Sequence, residues 1–283
     1  MQSTGGISLT LVRILKKALL SARRAVVDDM SARSEDTGTM NPFGDKTLMA
    51  DRTSEDEIVR VLNESGISFM IVTEESGLIN SGRQPEYLAI VDPIDGSANF
   101  ERGIPLCSGG ISILPFSERM TTDDIEISVI QSYFTNETYV AQKGMGFRRN
   151  GELARVSIPK PLAQAVISYD TKARWHDDFA SGSLNVIASA KDMRRSGSNL
   201  LDLCWTASGA LDAMVDLRRV LPIVHVSGTH MVVEGRGFVV DMLGNRLRLP
   251  IELQQRMAFV AASSWDLALE IIRLFFKRDP PHV

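Results

Sequence analysis

The chain has 283 residues, of which 44% are hydrophobic and 23% charged, and this is enough to bury one large core or two closely packed ones. Its 31 basic residues are outnumbered by 35 acidic ones, and a net charge of -4 offers no broad positive surface for nucleic acid. The two distant cysteines, Cys107 and Cys204, suggest neither a disulfide framework nor a structural zinc site. These features favour a reducing, cytoplasmic compartment.

The N-terminal segment Leu9 to Val27 places basic residues between apolar ones at helical spacing, which predicts an amphipathic helix rather than a signal peptide. No apolar run reaches the roughly 18 residues that span a bilayer, so we expect no membrane association. The polar stretch from Met30 to Asp51 lacks an apolar period and is predicted as a loop. Loops of this length inside a domain are often functional.

Two predicted strands end directly in acidic residues. After a predicted helix at Thr53 to Asn63, the apolar runs Phe69 to Val72 and Tyr87 to Val91 have the length and content of buried strands. The pair Glu74-Glu75 closely follows the first strand, and Asp92 directly follows the second. This arrangement is the first indication of a functional site.

The rest of the chain divides at Pro159 and Pro161. Before these prolines, a mostly antiparallel sheet is predicted from segments 109–114, 125–134, 138–142 and 147–156. After them, strand and helix patterns alternate in segments 165–169, 174–181, 185–189, 198–208, 213–217, 229–234, 238–242, 259–262 and 265–275. We therefore predict an N-terminal α+β half at residues 1–160 with the metal-binding motif, and a C-terminal α/β half at residues 161–283 for substrate selection.

The segment around Pro93 carries the chemistry. Proline lacks an N–H group for a sheet, so the strand is expected to end with the Asp92 carboxylate at its rim. Asp95 can face the same small volume across the rigid turn, and two such carboxylates raise each other's pKa unless a divalent cation relieves the repulsion. Oxygen ligands suit Mg²⁺ or Mn²⁺. The backbone N–H groups of Gly96 and Ser97, at a predicted helix start, suit a phosphate.

Simpler explanations exist for the same residues. The sequence Asp95-Gly96-Ser97 closes ordinary loops in many proteins. An acidic pair such as Glu74-Glu75 is usually a solvated surface feature, and only its place directly after a buried strand favours a role in a site.

The run from Asp92 to Phe100, which reads DPIDGSANF, resembles the signature of the lithium-sensitive, magnesium-dependent sugar-phosphate phosphatases, the inositol monophosphatase and fructose-1,6-bisphosphatase superfamily. The similarity extends upstream to Glu74 and downstream through the segment Gly197 to Ala213. The resemblance implies a layered αβαβα sandwich, usually a homodimer. It also implies a hydrolase that removes phosphate from a small phosphorylated metabolite, inositol monophosphate or fructose 1,6-bisphosphate.

Carried over by position, the resemblance also implies roles for single residues. The implied ligands of Mg²⁺ or Mn²⁺ are Glu74, Asp92, Asp95 and the carbonyl group of Ile94. The implied catalytic residues are Glu74, Ser97, whose hydroxyl positions the attacking water, and its partner Asp51. Gly96 and Ser97 are expected to hold the substrate phosphate. Asp51 is also explained as the cap of the helix that follows it, and one residue can serve both purposes.

Substrate selection is expected from the C-terminal half. Asp216 lies near the position where the family has an acidic residue that contacts substrate hydroxyls, and Arg194, Arg195, Tyr169 and Lys172 are candidates to meet a second phosphate. Each of these last four is equally well explained as a surface residue. The same signature serves nucleotide phosphatases, for instance of 3'-phosphoadenosine 5'-phosphate, and a relative that lost turnover is a further alternative.

One position departs from the family pattern. The family has a further aspartate ligand ten residues before the glutamate of its Glu-Ala-Gly-Gly motif, which is here the segment from Glu234 to Gly237. Ten residues back lies Val224, followed by His225, and neither is a carboxylate. A single histidine in an apolar stretch is usually a packed, hydrogen-bonded residue rather than a ligand, and we expect this of His225, with nitrogen ligation as the alternative. A second metal ion is then expected to bind weakly or not at all.

Overall fold

The computed structural model describes residues 4–28, 30, 33–80, 82–171 and 177–277. The α-helices in these ranges are α1 Thr4–Val27, α2 Met49–Glu64, α3 Ser97–Arg102, α4 Asp177–Ser189, α5 Asn199–Ala207, α6 Val226–Glu234 and α7 Trp265–Phe276. The first ten strands are β1 Asp36–Met40, β2 Lys46–Leu48, β3 Phe69–Thr73, β4 Gly77–Asn80, β5 Tyr87–Asp95, β6 Ser108–Pro115, β7 Ile127–Ser132, β8 Thr138–Gln142, β9 Gly146–Arg149 and β10 Glu152–Ala154. The others are β11 Val166–Tyr169, β12 Asp192–Arg194, β13 Ala213–Pro222, β14 Phe238–Val240 and β15 Arg256–Ala262.

Two mixed sheets form the frame of the molecule. The first has eight strands in the order β10-β9-β8-β7-β6-β5-β3-β4, and the second has five in the order β12-β11-β13-β15-β14. Strands β3 and β5 pair in parallel, whereas the other pairs of the first sheet are antiparallel. In the second sheet β11 runs parallel to both β12 and β13. A mostly antiparallel first half and an α/β second half agree with the sequence-based expectation.

The alternation of side chains along β5 separates two hydrophobic cores. Ala89 and Val91 face the core that contains α1 and α2, and Leu88 and Ile90 face the core that contains α5 and α6. This follows from the period of two in a strand, and both faces are apolar because both are covered by helices.

The second sheet is covered in the same way on both faces. Phe259 of β15 belongs to the core that α5 and α6 share with the first sheet, and the next residue, Val260, packs toward α4 and α7. The order of layers is therefore α1 and α2, the eight-stranded sheet, α5 and α6, the five-stranded sheet, and α4 and α7. This confirms the predicted αβαβα sandwich.

Two segments differ from the sequence-based expectation. The predicted loop from Met30 to Asp51 contains the hairpin β1-β2, and helix α2 already begins at Met49. The side chain of Asn41 accepts hydrogen bonds from two backbone N–H groups in the hairpin turn, a local interaction that hydrophobic periodicity does not reveal. Segments 174–181 and 185–189 were separate elements in the prediction, but residues 177–189 form one helix, and 174–176 lie outside the described residues.

Among the described residues, none of the helices combines the length and the apolar character that a membrane crossing requires.

Candidate active site

Parallel pairing of β3 with β5 brings two predicted carboxylates side by side. The Cα partner of Thr73 is Val91, so Glu74, the first residue after β3, follows the same register as Asp92 of β5. Carboxylate oxygens of Glu74 and Asp92 and a ring nitrogen of His225 all lie within 4.8 Å of one another. We call Glu74, Asp92 and Asp95 the acidic cluster.

The turn after Asp92 is held by hydrogen bonds to one carbonyl group. The Pro93 carbonyl oxygen accepts a hydrogen bond from the Tyr133 hydroxyl at 2.6 Å and another from the Ser54 hydroxyl at 2.9 Å. Strand β5 does not end at Asp92 as expected but continues to Asp95, with an irregular register against β6. Pro93 lies within this irregular part of the strand, where the sheet does not need the N–H group that proline lacks.

Asp95 is anchored to the start of helix α5. Its Oδ2 accepts hydrogen bonds from the Ser198 hydroxyl at 2.5 Å and from the Leu200 backbone N–H at 2.6 Å. One oxygen of Asp95 is thus used to join the two halves of the chain. Its Oδ1 faces His225 Nε2 at 3.4 Å.

Gly96 and Ser97 form the corner between β5 and α3. Gly96 has a φ of 94°, and a Cβ there would lie 3.0 Å from the Leu106 carbonyl oxygen, so the position requires glycine. The Ser97 hydroxyl lies 2.9 Å from Asp51 Oδ1 and 2.9 Å from the Ile94 carbonyl oxygen. A hydroxyl has one proton, so these two acceptors share it or alternate.

Asp51 lies inside helix α2 rather than before it, and its carboxyl group makes two hydrogen bonds. Its Oδ1 accepts from the Ser97 hydroxyl, and its Oδ2 accepts the backbone N–H of Leu48 at 3.0 Å, at the start of α2. Burial raises the pKa of Asp51 to about 7, although its two hydrogen bonds oppose this. The carboxyl group is therefore able to exchange a proton near neutral pH.

His225, rather than Val224, faces the acidic cluster. It ends a 3₁₀ turn, Ile223–His225, between β13 and α6, and its Nε2 lies 3.3 Å from Asp92 Oδ2. Val224 is fully buried in the apolar core. The ring is packed and hydrogen-bonded, as expected, with Nδ1 at 3.3 Å from the Pro222 carbonyl oxygen, and it also points at two carboxylates.

The acidic cluster carries more negative charge than its surroundings offset. Both oxygens of Asp92 are buried, and no hydrogen bond of good geometry reaches them from the described part of the chain. Burial raises the pKa of Asp92 well above its usual value, and Glu74 and Asp95 raise it further. Burial also raises the pKa of Glu74, and the charge of His225 partly opposes this. A bound divalent cation would supply the missing partner, so the donor set fits such an ion.

Arg194 and Asp216, the two residues predicted to select substrate, each contact an oppositely charged residue of the chain. Arg194 is exposed on the edge strand β12, where its guanidinium contacts Asp192 at 2.7 Å. Asp216 is fully buried in β13 and accepts hydrogen bonds from the guanidinium of Arg218 at 2.9 and 2.5 Å. Because that carboxylate is already paired, a substrate hydroxyl would have to compete with Arg218 for it. Their role in substrate selection stays a prediction.

The structure places two of the three further candidates for a second phosphate. Arg195 is ion-paired with Asp170 at 3.0 Å. Tyr169 is buried and its hydroxyl donates to the Ser183 hydroxyl at 3.0 Å, so it is not the surface residue that the alternative assumed. Lys172 lies outside the described residues.

Sequence reasoning missed Glu55, which supports the segment that carries Glu74. Its Oε2 accepts hydrogen bonds from the Thr73 hydroxyl at 2.6 Å and from the backbone N–H groups of Glu75 and Ser76 at 3.2 and 3.1 Å. Glu55 belongs to the buried face of α2. An acidic residue on the apolar face of a predicted helix is the signal that would have identified it.

Protonation of buried carboxyl groups predicts an unusual pH dependence for the metal-free protein. Burial raises the pKa of Asp51 and Asp202 to about 7 and that of Glu75 to about 8. In the unfolded chain such groups titrate near pH ~4, so between these limits the folded state binds more protons and stability falls as pH rises. Burial lowers the pKa of His230 to about 3, so this residue adds no slope above the unfolded pKa of a histidine, about 6.5.

We therefore expect the melting temperature in EDTA to fall by several degrees between about pH 6.5 and about pH 8.5. Differential scanning calorimetry at the two pH values measures this. A melting temperature that does not fall over the interval would mean that these carboxyl groups are already ionised in the folded protein at about pH 6.5.

The fold and the site together define a class, an αβαβα sandwich with a carboxylate cluster suited to a divalent cation. The model of the inositol monophosphatase family matches residues 7–276. A fructose-1,6-bisphosphatase/inositol-1-monophosphatase of Thermococcus kodakarensis is 30% identical over 248 residues, which cover 87% of this chain and 88% of that protein. The chain belongs to the inositol monophosphatase family, and it is a phosphatase.

Other relatives have different names. The Nus factor SuhB of Pasteurella multocida is 29% identical over 238 residues, covering 82% of this chain and 86% of that one. The crystal structure of the extragenic suppressor protein suhB from Bartonella henselae has a TM-score of 0.81 at 26% identity, and covers 94% of this chain and 98% of that one. The fold is therefore shared by proteins with different names.

Proposed function

We propose that this phosphatase hydrolyses the phosphate ester of inositol monophosphate, fructose 1,6-bisphosphate or both, with Mg²⁺ or Mn²⁺ as cofactor. The acidic cluster and the carbonyl of Ile94 would hold the ion. The observation that carries the proposal is that a hydroxyl and a carboxyl group, Ser97 and Asp51, are hydrogen-bonded at 2.9 Å beside this cluster. Relatives named as fructose-1,6-bisphosphatase and inositol-1-monophosphatase support this substrate class.

The residues of the chain would act by positioning and by proton transfer. When bound, the divalent ion supplies a water of lowered pKa and offsets charge on the phosphate oxygens. Ser97 orients the attacking water through its hydroxyl, and Asp51 accepts the proton that Ser97 relays, for which a pKa of about 7 is suitable. The backbone of Gly96 and Ser97 positions the phosphate. No covalent nucleophile is required, since phosphoryl transfer depends mainly on positioning and electrostatics.

Phosphate release from purified protein tests the proposal. Inositol monophosphate, fructose 1,6-bisphosphate and 3'-phosphoadenosine 5'-phosphate are compared with Mg²⁺, with Mn²⁺ and in excess EDTA. We expect turnover of one or both sugar-type substrates, complete loss in EDTA and recovery when metal is restored, because the carboxylates alone repel a phosphate dianion. Preferential turnover of the nucleotide would replace the proposed substrate, and full turnover in EDTA would overturn the mechanism.

We further propose a cytoplasmic homodimer in which residues 1–160 carry the metal site and residues 161–283 select the substrate, with Arg194 and Asp216 among the selecting residues. The support is the family resemblance and the division of the chain between the two sheets. Light scattering on the purified protein gives the molar mass, and a monomer mass at micromolar concentration would contradict the dimer.

A further inference from the structure

The histidine at the acidic cluster gives this site a donor that the family pattern lacks. His225 is buried, and its Nε2 lies 3.3 Å from Asp92 Oδ2 and 3.4 Å from Asp95 Oδ1. Ligand atoms that share one ion at about 2.1 Å lie about 3.0 Å apart at a right angle and about 3.4 Å apart at a tetrahedral angle. The nitrogen is thus separated from both oxygens by the distance that common coordination requires.

The other ring nitrogen indicates which nitrogen carries the proton. His225 Nδ1 lies 3.3 Å from the Pro222 carbonyl oxygen, which can only accept a hydrogen bond. In the neutral ring the hydrogen therefore belongs on Nδ1, and Nε2 presents its lone pair to the carboxylates. Metal-bound histidines are commonly oriented in this way, with the second nitrogen donating to a backbone carbonyl.

Asp92 provides an independent indication that an ion belongs here. Its two oxygens are fully buried and lack a hydrogen bond of good geometry from the described residues. A lone pair of His225 pointing at such a carboxylate is unfavourable unless a metal ion or a proton lies between them, and the spectroscopic test below distinguishes these two cases.

We propose that His225 is a nitrogen ligand of the divalent ion bound by the acidic cluster, which makes the site selective for a transition-metal ion such as Mn²⁺, Co²⁺ or Zn²⁺ over Mg²⁺. The inference rests on the proposed function only in that the site holds a divalent cation. Imidazole nitrogen binds these ions well and Mg²⁺ poorly, whereas a site made of oxygen alone favours Mg²⁺. Replacement of aspartate by histidine therefore changes the kind of ion rather than removing the site.

Electron spin echo envelope modulation of the Mn²⁺-loaded wild-type protein tests the ligand directly. We expect a nitrogen hyperfine coupling in the wild type and its loss in His225→Asp. Equilibrium titration of Mn²⁺ and Mg²⁺ is expected to show that this substitution lowers the Mn²⁺ preference about tenfold or more. The wild-type spectrum decides the question even if the variant is unstable.

Two control variants separate ligation from packing. His230→Gln changes a buried histidine of α6 whose Nδ1 pairs with the Ser128 hydroxyl, and it is expected to keep the nitrogen coupling. Val224→Asp changes the neighbouring residue in the apolar core, and it is expected to lower the melting temperature by burying an unpaired charge, without strengthening Mg²⁺ binding.

The outcomes distinguish this inference from the proposed function. A Mn²⁺ spectrum without nitrogen coupling in an active enzyme overturns the ligand role of His225 and leaves the phosphatase proposal intact. It would mean that the ring stays protonated and only neutralises charge. Nitrogen coupling in a protein that hydrolyses none of the tested esters supports the ligand and contradicts the proposed substrates.

Discussion

Asp92→Asn is expected to abolish phosphate release while leaving the metal-free protein as stable as the wild type or more stable. The Asp92 side chain is not stabilised by hydrogen bonds, since both of its oxygens are buried and neither accepts a good hydrogen bond from the described residues. The amide has the same shape but no charge to desolvate, and Glu74 and Asp95 no longer raise the energy of an ionised neighbour. In the proposed mechanism its role is confined to binding the cation.

The expected loss of activity is large. A metal ion contributes several kcal/mol of charge stabilisation in the transition state, which corresponds on the order of a thousandfold in rate. The measurements are the initial rate of phosphate release with saturating metal and the melting temperature in EDTA. Near-normal activity of Asp92→Asn would show that the ion is bound elsewhere.

Asp95→Asn is the matched comparison, because it changes the same chemical group in the same turn. Its Oδ2 accepts two hydrogen bonds, from the Ser198 hydroxyl and the Leu200 N–H. An amide oxygen can keep these only as weaker, uncharged acceptors. We therefore expect Asp95→Asn to lose activity and also to lower the melting temperature, in contrast to Asp92→Asn. Equal effects of the two variants on stability would contradict the assignment of separate roles.

The sequence predicts the layers of this fold well because hydrophobic periodicity records them. Runs such as Tyr87 to Val91 are apolar on both faces, and such runs belong to strands covered by helices on either side. The hairpin β1-β2 was not predicted, since β1 is largely exposed, β2 has only three residues, and the turn depends on the side chain of Asn41. Such short-range hydrogen bonds leave no period in the sequence.

Only some residues of the candidate site can be predicted from a local sequence motif. Asp92, Asp95 and Ser97 lie within six residues, so a motif reveals them together. The pairing of Glu74 with Asp92 depends on the parallel register of β3 and β5, and the approach of His225 depends on how β13 ends beside the first sheet. Counting along the sequence pointed to Val224, whereas the structure places its neighbour at the cluster. A shift of one residue in a turn cannot be deduced from spacing alone.

Ser97→Ala is expected to lower kcat about a hundredfold or more with little change in KM, which is the pattern for an interaction made mainly in the transition state. The structure supports this because the hydroxyl lies between Asp51 Oδ1 and the Ile94 carbonyl, at 2.9 Å from each. Alanine fits the start of α3 well, so stability is expected to change little. Steady-state kinetics with saturating metal measures both constants.

Ser112→Ala is a matched control for the loss of a buried hydroxyl. Ser112 lies on β6 opposite Ile90, and its hydroxyl is hydrogen-bonded to that of Ser128 at 2.7 Å. The substitution removes one buried hydrogen bond but none beside the acidic cluster. We expect a lower melting temperature and an unchanged kcat, so a comparable fall in kcat would show that packing explains the Ser97 result.

The double variant Ser97→Ala with Asp51→Asn decides whether the two residues act as one unit. In Asp51→Asn the amide can still accept the Leu48 N–H, and its NH₂ group can donate to Ser97, whose proton then goes to the Ile94 carbonyl. The local structure is thus preserved while the proposed proton acceptor is lost. In the proposed relay Asp51 acts on the water through Ser97, so its replacement is expected to cost little once the hydroxyl is absent. If the two losses in kcat instead multiply, Asp51 contributes independently of Ser97, and the proposed relay between them is wrong.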